Sequence, residues 1–232
     1  MAAIEVSAEV AANSSAIAFA FALPGACGWG PSLEAALERL RWDVHWEVHW
    51  LERHELASPV TSADAPFAVD ETVAATGDPL KCDTEGFYRI DRQPLLPQQV
   101  GETLRLVGTA YRDITAVVSS LSEEQWTLPV AAGKRSPGQI VSHVAIAAWW
   151  YMTRIPGAPA IQHWREWPSA PLEQVSVSQQ VAARVLRELG EREVQAAQHV
   201  LDGETWSARK VVRRLVWHGL WHLKELRRYL CY

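Results

Sequence analysis

The chain has 232 residues, of which 22 are Lys or Arg and 27 are Asp or Glu, for a formal charge of −5. That length holds one large domain or two small ones, and a mildly acidic chain without a Lys/Arg block lacks the electrostatic footprint of a nucleic-acid binder. No apolar stretch is long enough to span a bilayer, so neither nucleic acid nor membrane is an expected partner.

The three cysteines, Cys27, Cys82 and Cys231, show no CxxC spacing and read as reduced thiols. The run from Ala16 to Cys27 has the apolarity of a signal-peptide core. However, Glu5 and Glu9 stand where a positive region belongs and Pro24-Gly25 interrupts the run, so the expected location is cytoplasmic.

In chain order, Ile4 to Val10 and Ala16 to Ala22 read as strands joined by the Asn13-Ser14 turn. After Leu23-Pro24-Gly25 and the glycines Gly28 and Gly30, Ser32 caps a helix expected from Leu33 to about His54. Glu34 suits its positive end. A Pro/Ser/Thr/Asp-rich break follows, and Ala68 to Ala75 is a third expected strand.

The stretch from Ala18 through Leu23-Pro24-Gly25, Gly28, Gly30 and Ser32 to Glu34-Ala35-Ala36-Leu37 resembles the strand, LPG turn and helix of HicB-like antitoxin domains. The resemblance covers about the first third of the chain and implies a small β-β-α-β unit. It does not by itself imply toxin neutralisation, since one fold serves several roles.

On the expected helix, Leu33, Leu37, Leu40, Val44, Val48 and Leu51 form a stripe suited to covering a sheet. Trp42, Trp46 and Trp50 form a second stripe, expected to meet the other domain or a second subunit, as in a homodimer. His45 and His49 fall on a polar flank and read as a solvated or interface face.

A linker is expected from Gly77 to Pro97. Four helices follow, at Gln98 to Leu121, Ser136 to Ile155, Val177 to Leu201 and Ser207 to Leu230, bounded by Ser122, Ser136-Pro137, Pro156-Gly157, Asp202-Gly203 and Ser207. The fold class is therefore α+β. The expected domains are an N-terminal unit over residues 1–76, a linker over 77–97 and a four-helix bundle over 98–232. Arg209, Lys210, Arg213 and Arg214 read as the solvated first half of the last helix.

His218 and His222 share one helical face at i, i+4, and His143 lies on the face of Ile140, Ala147, Trp150 and Tyr151. Three neutral imidazoles with an open fourth position are the ligand set of catalytic zinc and also suit nickel or iron. The competing reading is three core histidines satisfied by hydrogen bonds. Helical projection places Trp150, Tyr151, Trp221, Tyr229, Arg214 and Glu225 nearby. Arg214 is a candidate clamp for a substrate carboxylate, and Glu225 a candidate base or orienting group.

The sequence Lys134-Arg135-Ser136-Pro137-Gly138-Gln139-Ile140-Val141-Ser142-His143 opening the second helix, with H-x-x-x-H on the fourth, resembles the DinB superfamily over residues 98 to 232. The resemblance implies a divalent metal held by His143, His218 and His222. It also implies chemistry of the thiol-dependent isomerase and thiol-transferase kind, with a low-molecular-weight thiol as cofactor. The expected activity is thiol transfer or hydrolysis on a small-molecule substrate. The alternative is a non-catalytic interaction protein with a structural or vestigial metal site and a HicB-like dimerisation module.

Overall fold

The computed structural model describes residues 2–81, 85–190 and 197–230. The chain divides into two compact units, Met1–Arg92 and Gln93–Tyr232.

The first unit is a four-stranded sheet with one long helix. Strands β1 (Ile4–Val10) and β2 (Ala16–Phe19) form the expected antiparallel hairpin. Its turn is held by Asn13, whose Oδ1 accepts from the Ser15 amide (3.1 Å) and hydroxyl (2.7 Å). β2 ends earlier than expected because the chain turns inside the apolar run, with Leu23 N donating to Ala20 O at 2.7 Å. A further strand, β3 (Cys27–Gly30), pairs antiparallel with β2. Helix α1 (Leu33–Arg53) crosses over, and β4 (Phe67–Ala74) pairs parallel with β1, giving the order β3-β2-β1-β4. The unit is thus β-β-β-α-β, where the sequence pointed to β-β-α-β.

The extra strand escaped prediction because Cys-Gly-Trp-Gly has two glycines and no period-2 pattern. Those glycines serve the packing of α1 instead. A Cβ at Gly28 would lie 2.1 Å from the Ala36 carbonyl oxygen and 2.3 Å from Leu40 N. Only hydrogen allows the helix backbone to approach β3 this closely. Side chains of α1 also satisfy amides in this region: Glu47 accepts from Gly25 N and Asp43 from Cys27 N, each at 3.1 Å.

Leu40, Val44 and Leu51 of the expected stripe on α1 are buried, together with Ala36. The tryptophans are graded in exposure: Trp50 is buried, Trp46 stacks on it with ring centroids 6.3 Å apart, and Trp42 is 80% exposed. The stretch expected to be linker is built into this unit through Tyr88, which is fully buried. Tyr88 donates its hydroxyl to Glu9 Oε1 (3.1 Å) and packs edge-on against Phe21 (4.9 Å). Cys27 is buried, whereas Cys82 and Cys231 lie outside the described residues.

The second unit has four long helices, α2 (Pro97–Val118), α4 (Pro137–Thr153), α5 (Pro171–Gly190) and α6 (Ala208–Tyr229), with the short α3 (Glu123–Thr127) between the first two. α2 packs on α5 and α6, and α4 packs on the same two helices, closing a ring of four. Val107, Ile114, Ile140, Val144, Leu186, Leu215 and Leu223 fill its centre.

The third long helix differs from expectation. It begins at Pro171, whose fixed φ suits a first helical turn, and its described part ends at Gly190. The expected helix to Leu201 crosses 191–196, which lie outside the described residues. Beyond them Gln198–Leu201 is strand β5, paired antiparallel with β6 (Glu204–Ser207). Asp202-Gly203, expected to stop a helix, is the two-residue turn of this hairpin, with φ of 54° and 84°. Asp-Gly between strands is a strong hairpin signal for this reason. Among the described residues, no helix is long and apolar enough to cross a membrane.

Candidate metal centre

α4 is started by a reciprocal cap: Ser136 Oγ accepts from Gln139 N (3.2 Å) while Gln139 Oε1 accepts from Ser136 N (2.9 Å). Its first turn packs closely on α3, since a Cβ at Gly138 would lie 2.7 Å from Trp126 Nε1. This sets the phase of the helix that carries His143. α6 is capped by Ser207, whose hydroxyl accepts from Lys210 N at 3.1 Å. Gly219 lies between the two histidines of α6 and leaves room for Tyr111 of α2, whose Cε1 would be 3.2 Å from an added Cβ.

The three sequence-predicted histidines come together. One potential ligand atom from each of His143, His218 and His222 lies within 4.8 Å of the others. Nε2 of His143 and Nε2 of His218 are 3.1 Å apart, close to the roughly 3.3 Å between two nitrogens bound tetrahedrally at about 2.0–2.1 Å to one ion. The rings meet edge to face, with centroids 4.5 to 5.0 Å apart. A metal-free protein can use the same approach as an N–H···N hydrogen bond.

Glu225 supports the third ring. Its Oε2 is 2.7 Å from His222 Nδ1, which leaves Nε2 of that ring for the cluster. Burial works to raise the Glu225 pKa, but the hydrogen bond and charge of His222, with Lys134 and Arg135, bring it below its ordinary value. The histidines shift to the neutral form. Burial, then the charge of His222 and Arg135, lowers His143 to about 4 even though Glu225 opposes this. Burial with His222, His143, Arg214 and Arg135 holds His218 well below its usual value. Two of the three rings are thus unprotonated at neutral pH, as a metal requires. Among the described residues, no fourth His, Cys, Asp or Glu joins the group.

Arg214 is close enough to His218 to depress its pKa, but its guanidinium is already engaged. NH1 donates to Glu204 Oε1 at 2.8 Å, its side chain is 13% exposed, and its Cζ lies 5.6 and 5.4 Å from the ring centres of Tyr151 and Trp206. Arg214, the candidate substrate clamp, is thus paired with Glu204 in this structure. Tyr151 is buried with its ring centre 5.8 Å from that of His218, and Trp150 packs edge-on against Trp206 at 5.3 Å. Trp221 pairs with Trp217 at 5.9 Å, and Tyr229 falls on the last turn of α6.

The solvated basic stretch expected at the start of α6 is also corrected. Lys210 is fully buried, with Nζ 2.6 Å from Glu204 Oε1 and 3.0 Å from the Thr205 carbonyl oxygen. Burial lowers its pKa to about 8 against the opposing pull of Glu204. Glu204 comes from β6 of the hairpin, whose first strand β5 was expected to be the end of a helix, while Glu204 fell in the break before the last one. The Asp-Gly pair was the available signal for it.

The sequence profile of the DinB superfamily matches residues 107–226. Among solved structures, the chain is similar to one described as "YfiT from Bacillus subtilis is a probable metal-dependent hydrolase with an unusual four-helix bundle topology". That match has 17% identity and a TM-score of 0.46, and covers 65% of this chain and 97% of the other. None of the curated proteins matches the sequence.

Proposed function

The chain belongs to the DinB superfamily, and on that footing we propose that His143, His218 and His222 hold a divalent metal and that the second unit acts on a small molecule by thiol transfer or hydrolysis. The observation that carries this reading is the convergence of three imidazoles: two Nε2 atoms stand 3.1 Å apart, near the spacing of a shared ligand shell, and one ligand atom of each ring lies within 4.8 Å of the others. Zinc and nickel fit an all-nitrogen set, and iron is compatible with it.

When bound, such a cation lowers the pKa of a coordinated water or thiol and thereby supplies a nucleophile near neutral pH. The protein's own residues prepare for this. Glu225 keeps the His222 proton on Nδ1, so the Nε2 lone pair faces the cluster. As an ionised carboxylate on the edge of the site, it is also the nearby group able to take up a proton. Tyr151, with Trp150 and Trp206 packed around it, supplies apolar ring surface beside His218. Arg214, fixed by Glu204, contributes positive charge beside His218 without having to move.

For the first unit, the HicB-like reading remains our proposal. It is supported by the LPG turn, whose Gly25 amide is held by Glu47 of α1, and by a sheet whose β4 returns parallel beside β1. A role in self-association follows from that reading and from the exposed Trp42.

The test is metal content by plasma mass spectrometry on protein purified without chelator or affinity tag. Near-stoichiometric metal in the wild type, lost in His218→Ala, is the expected result. Metal-free protein after soaking in zinc and nickel would leave three hydrogen-bonded core histidines and sink the reading.

A further inference from the structure

Tyr151 follows His143 on α4, and its ring is braced from several directions. The ring centre lies 5.8 Å from that of His218, 5.3 Å from Trp150 and 6.5 Å from Trp206, and Arg214 Cζ stands 5.6 Å from it. Arg214 is itself fixed by Glu204 at 2.8 Å. The phenol therefore has a set position against one of the three clustered histidines, and it reaches that histidine from a different helix, since His218 belongs to α6.

A wall alone does not need a hydroxyl. Tyr151 is 4% exposed, and a desolvated hydroxyl without a partner costs free energy that Phe would avoid in the same volume. Tyr88, buried in the first unit, meets this demand by donating to Glu9 at 3.1 Å. Among the described residues the Tyr151 hydroxyl has no hydrogen-bond partner in the protein, and unlike Nε of the neighbouring Arg214 it is not a sealed atom. The little surface that Tyr151 keeps thus includes its side chain's one polar atom.

We propose that the Tyr151 hydroxyl is the hydrogen-bond donor that positions the molecule bound at the histidine centre, and that this molecule presents an oxygen acceptor, such as a carbonyl or carboxylate oxygen, beside His218. This rests on the reading of the histidines as a metal centre. The phenol gives a hydrogen bond and keeps its proton, so no covalent step passes through it. A donor already held by packing needs no reorganisation when the ligand arrives, and a hydrogen bond to an oxygen bearing negative charge is of the strong kind. Sulfur is a weak acceptor, so a ligand held through a thiol alone gains little from this group.

The experiment uses the full chain loaded with cobalt(II), with acetohydroxamate as oxygen probe and ethanethiol as sulfur probe, both followed by the cobalt absorption bands. In Tyr151→Phe, which keeps the ring, the affinity for acetohydroxamate should fall by about tenfold, the worth of one hydrogen bond to a charged acceptor. Cobalt uptake and the affinity for ethanethiol should stay as in the wild type. An equal loss for both probes, or none for either, overturns the proposal, because a wall residue acts on both alike. It is also overturned if the oxygen-selective loss appears instead in Tyr111→Phe, the tyrosine that packs on Gly219.

Failure of the wild type to take up cobalt sinks the metal reading and the proposal with it, whereas uptake without an oxygen-selective loss sinks the proposal alone. Urea denaturation of the metal-free proteins adds a readout that involves no ligand. Tyr151→Phe should match or exceed the wild-type midpoint, because the hydroxyl it removes pairs with nothing in the protein. A lower midpoint would mean that the hydroxyl serves the fold, and would overturn the proposal.

Discussion

His222 and Glu225, three residues apart on α6, are joined by a 2.7 Å contact between Nδ1 and Oε2. The carboxylate therefore selects which nitrogen of the ring turns toward His143 and His218. A partner of this kind fixes tautomer and orientation, and its loss typically weakens metal binding about 10- to 100-fold. Glu225→Gln keeps an acceptor for Nδ1–H but removes the charge, so its zinc affinity should fall by about tenfold. Glu225→Ala should fall further. Competition titration against a chelator of known affinity measures both, and equal affinities in all three proteins would remove Glu225 from this role.

Acid should destabilise the metal-free protein in a defined window. The His143 pKa is lowered to about 4 by burial, against about 6.5 in an unfolded chain. Above 6.5 neither state binds the proton and stability is complete. Between 6.5 and 4 the unfolded chain binds it and the folded protein does not, so stability falls as pH falls and levels off below 4. The full effect is on the order of 3 kcal/mol, an upper value because the ring is partly exposed. Glu225, held below its usual range, adds a loss in the same direction at lower pH. Urea midpoints measured across this range should slope accordingly, and His143→Asn should flatten the upper part of the curve.

Glu204 serves two cations, Lys210 at 2.6 Å and Arg214 at 2.8 Å. Removing one partner of a buried ion group typically costs 3–5 kcal/mol, because the remaining charge stays desolvated. Glu204→Leu should therefore lose about 3 kcal/mol, and pairing it with Lys210→Met should recover a large part of that. A double-mutant cycle by urea denaturation gives the coupling, and strict additivity would contradict the geometry.

Gly28→Ala should disrupt the first unit. The added Cβ would lie 2.1 Å from the carbonyl oxygen of Ala36, whereas Gly101→Ala meets nothing within 4 Å. Overpacking against backbone costs about 1–3 kcal/mol or more, and Gly101→Ala, on the α2 helix, should be neutral or slightly stabilising. Thermal unfolding of both variants compares them directly, and equal midpoints would mean α1 does not pack on β3 as described.

Much of the local structure was legible in the chain. Ser32, Ser136 and Ser207 marked helix starts because a hydroxyl accepting a backbone amide leaves a sequence signature. His218 and His222 share a face because helical geometry requires it at that spacing. What neighbouring residues alone encode could not show which long-range partners those faces would meet. Packing of α4 against α6 brought Nε2 of His143 to 3.1 Å from that of His218.

A hairpin formed by Asp202-Gly203 carried Glu204 to Lys210 and Arg214, so that Lys210 is buried and both cations are ion-paired rather than simply solvated. Pairing with β2 made Gly28 a strand residue, and the close approach of α1 leaves no room for a side chain there. Sequence by itself determined the helix caps, the two classes of unit and the histidine spacing, because each depends on contacts within a few residues. Tertiary structure alone decided the third strand, the hairpin, the fate of Arg214 and the meeting of three imidazoles. Each of these depends on desolvation and close packing between segments far apart in the chain.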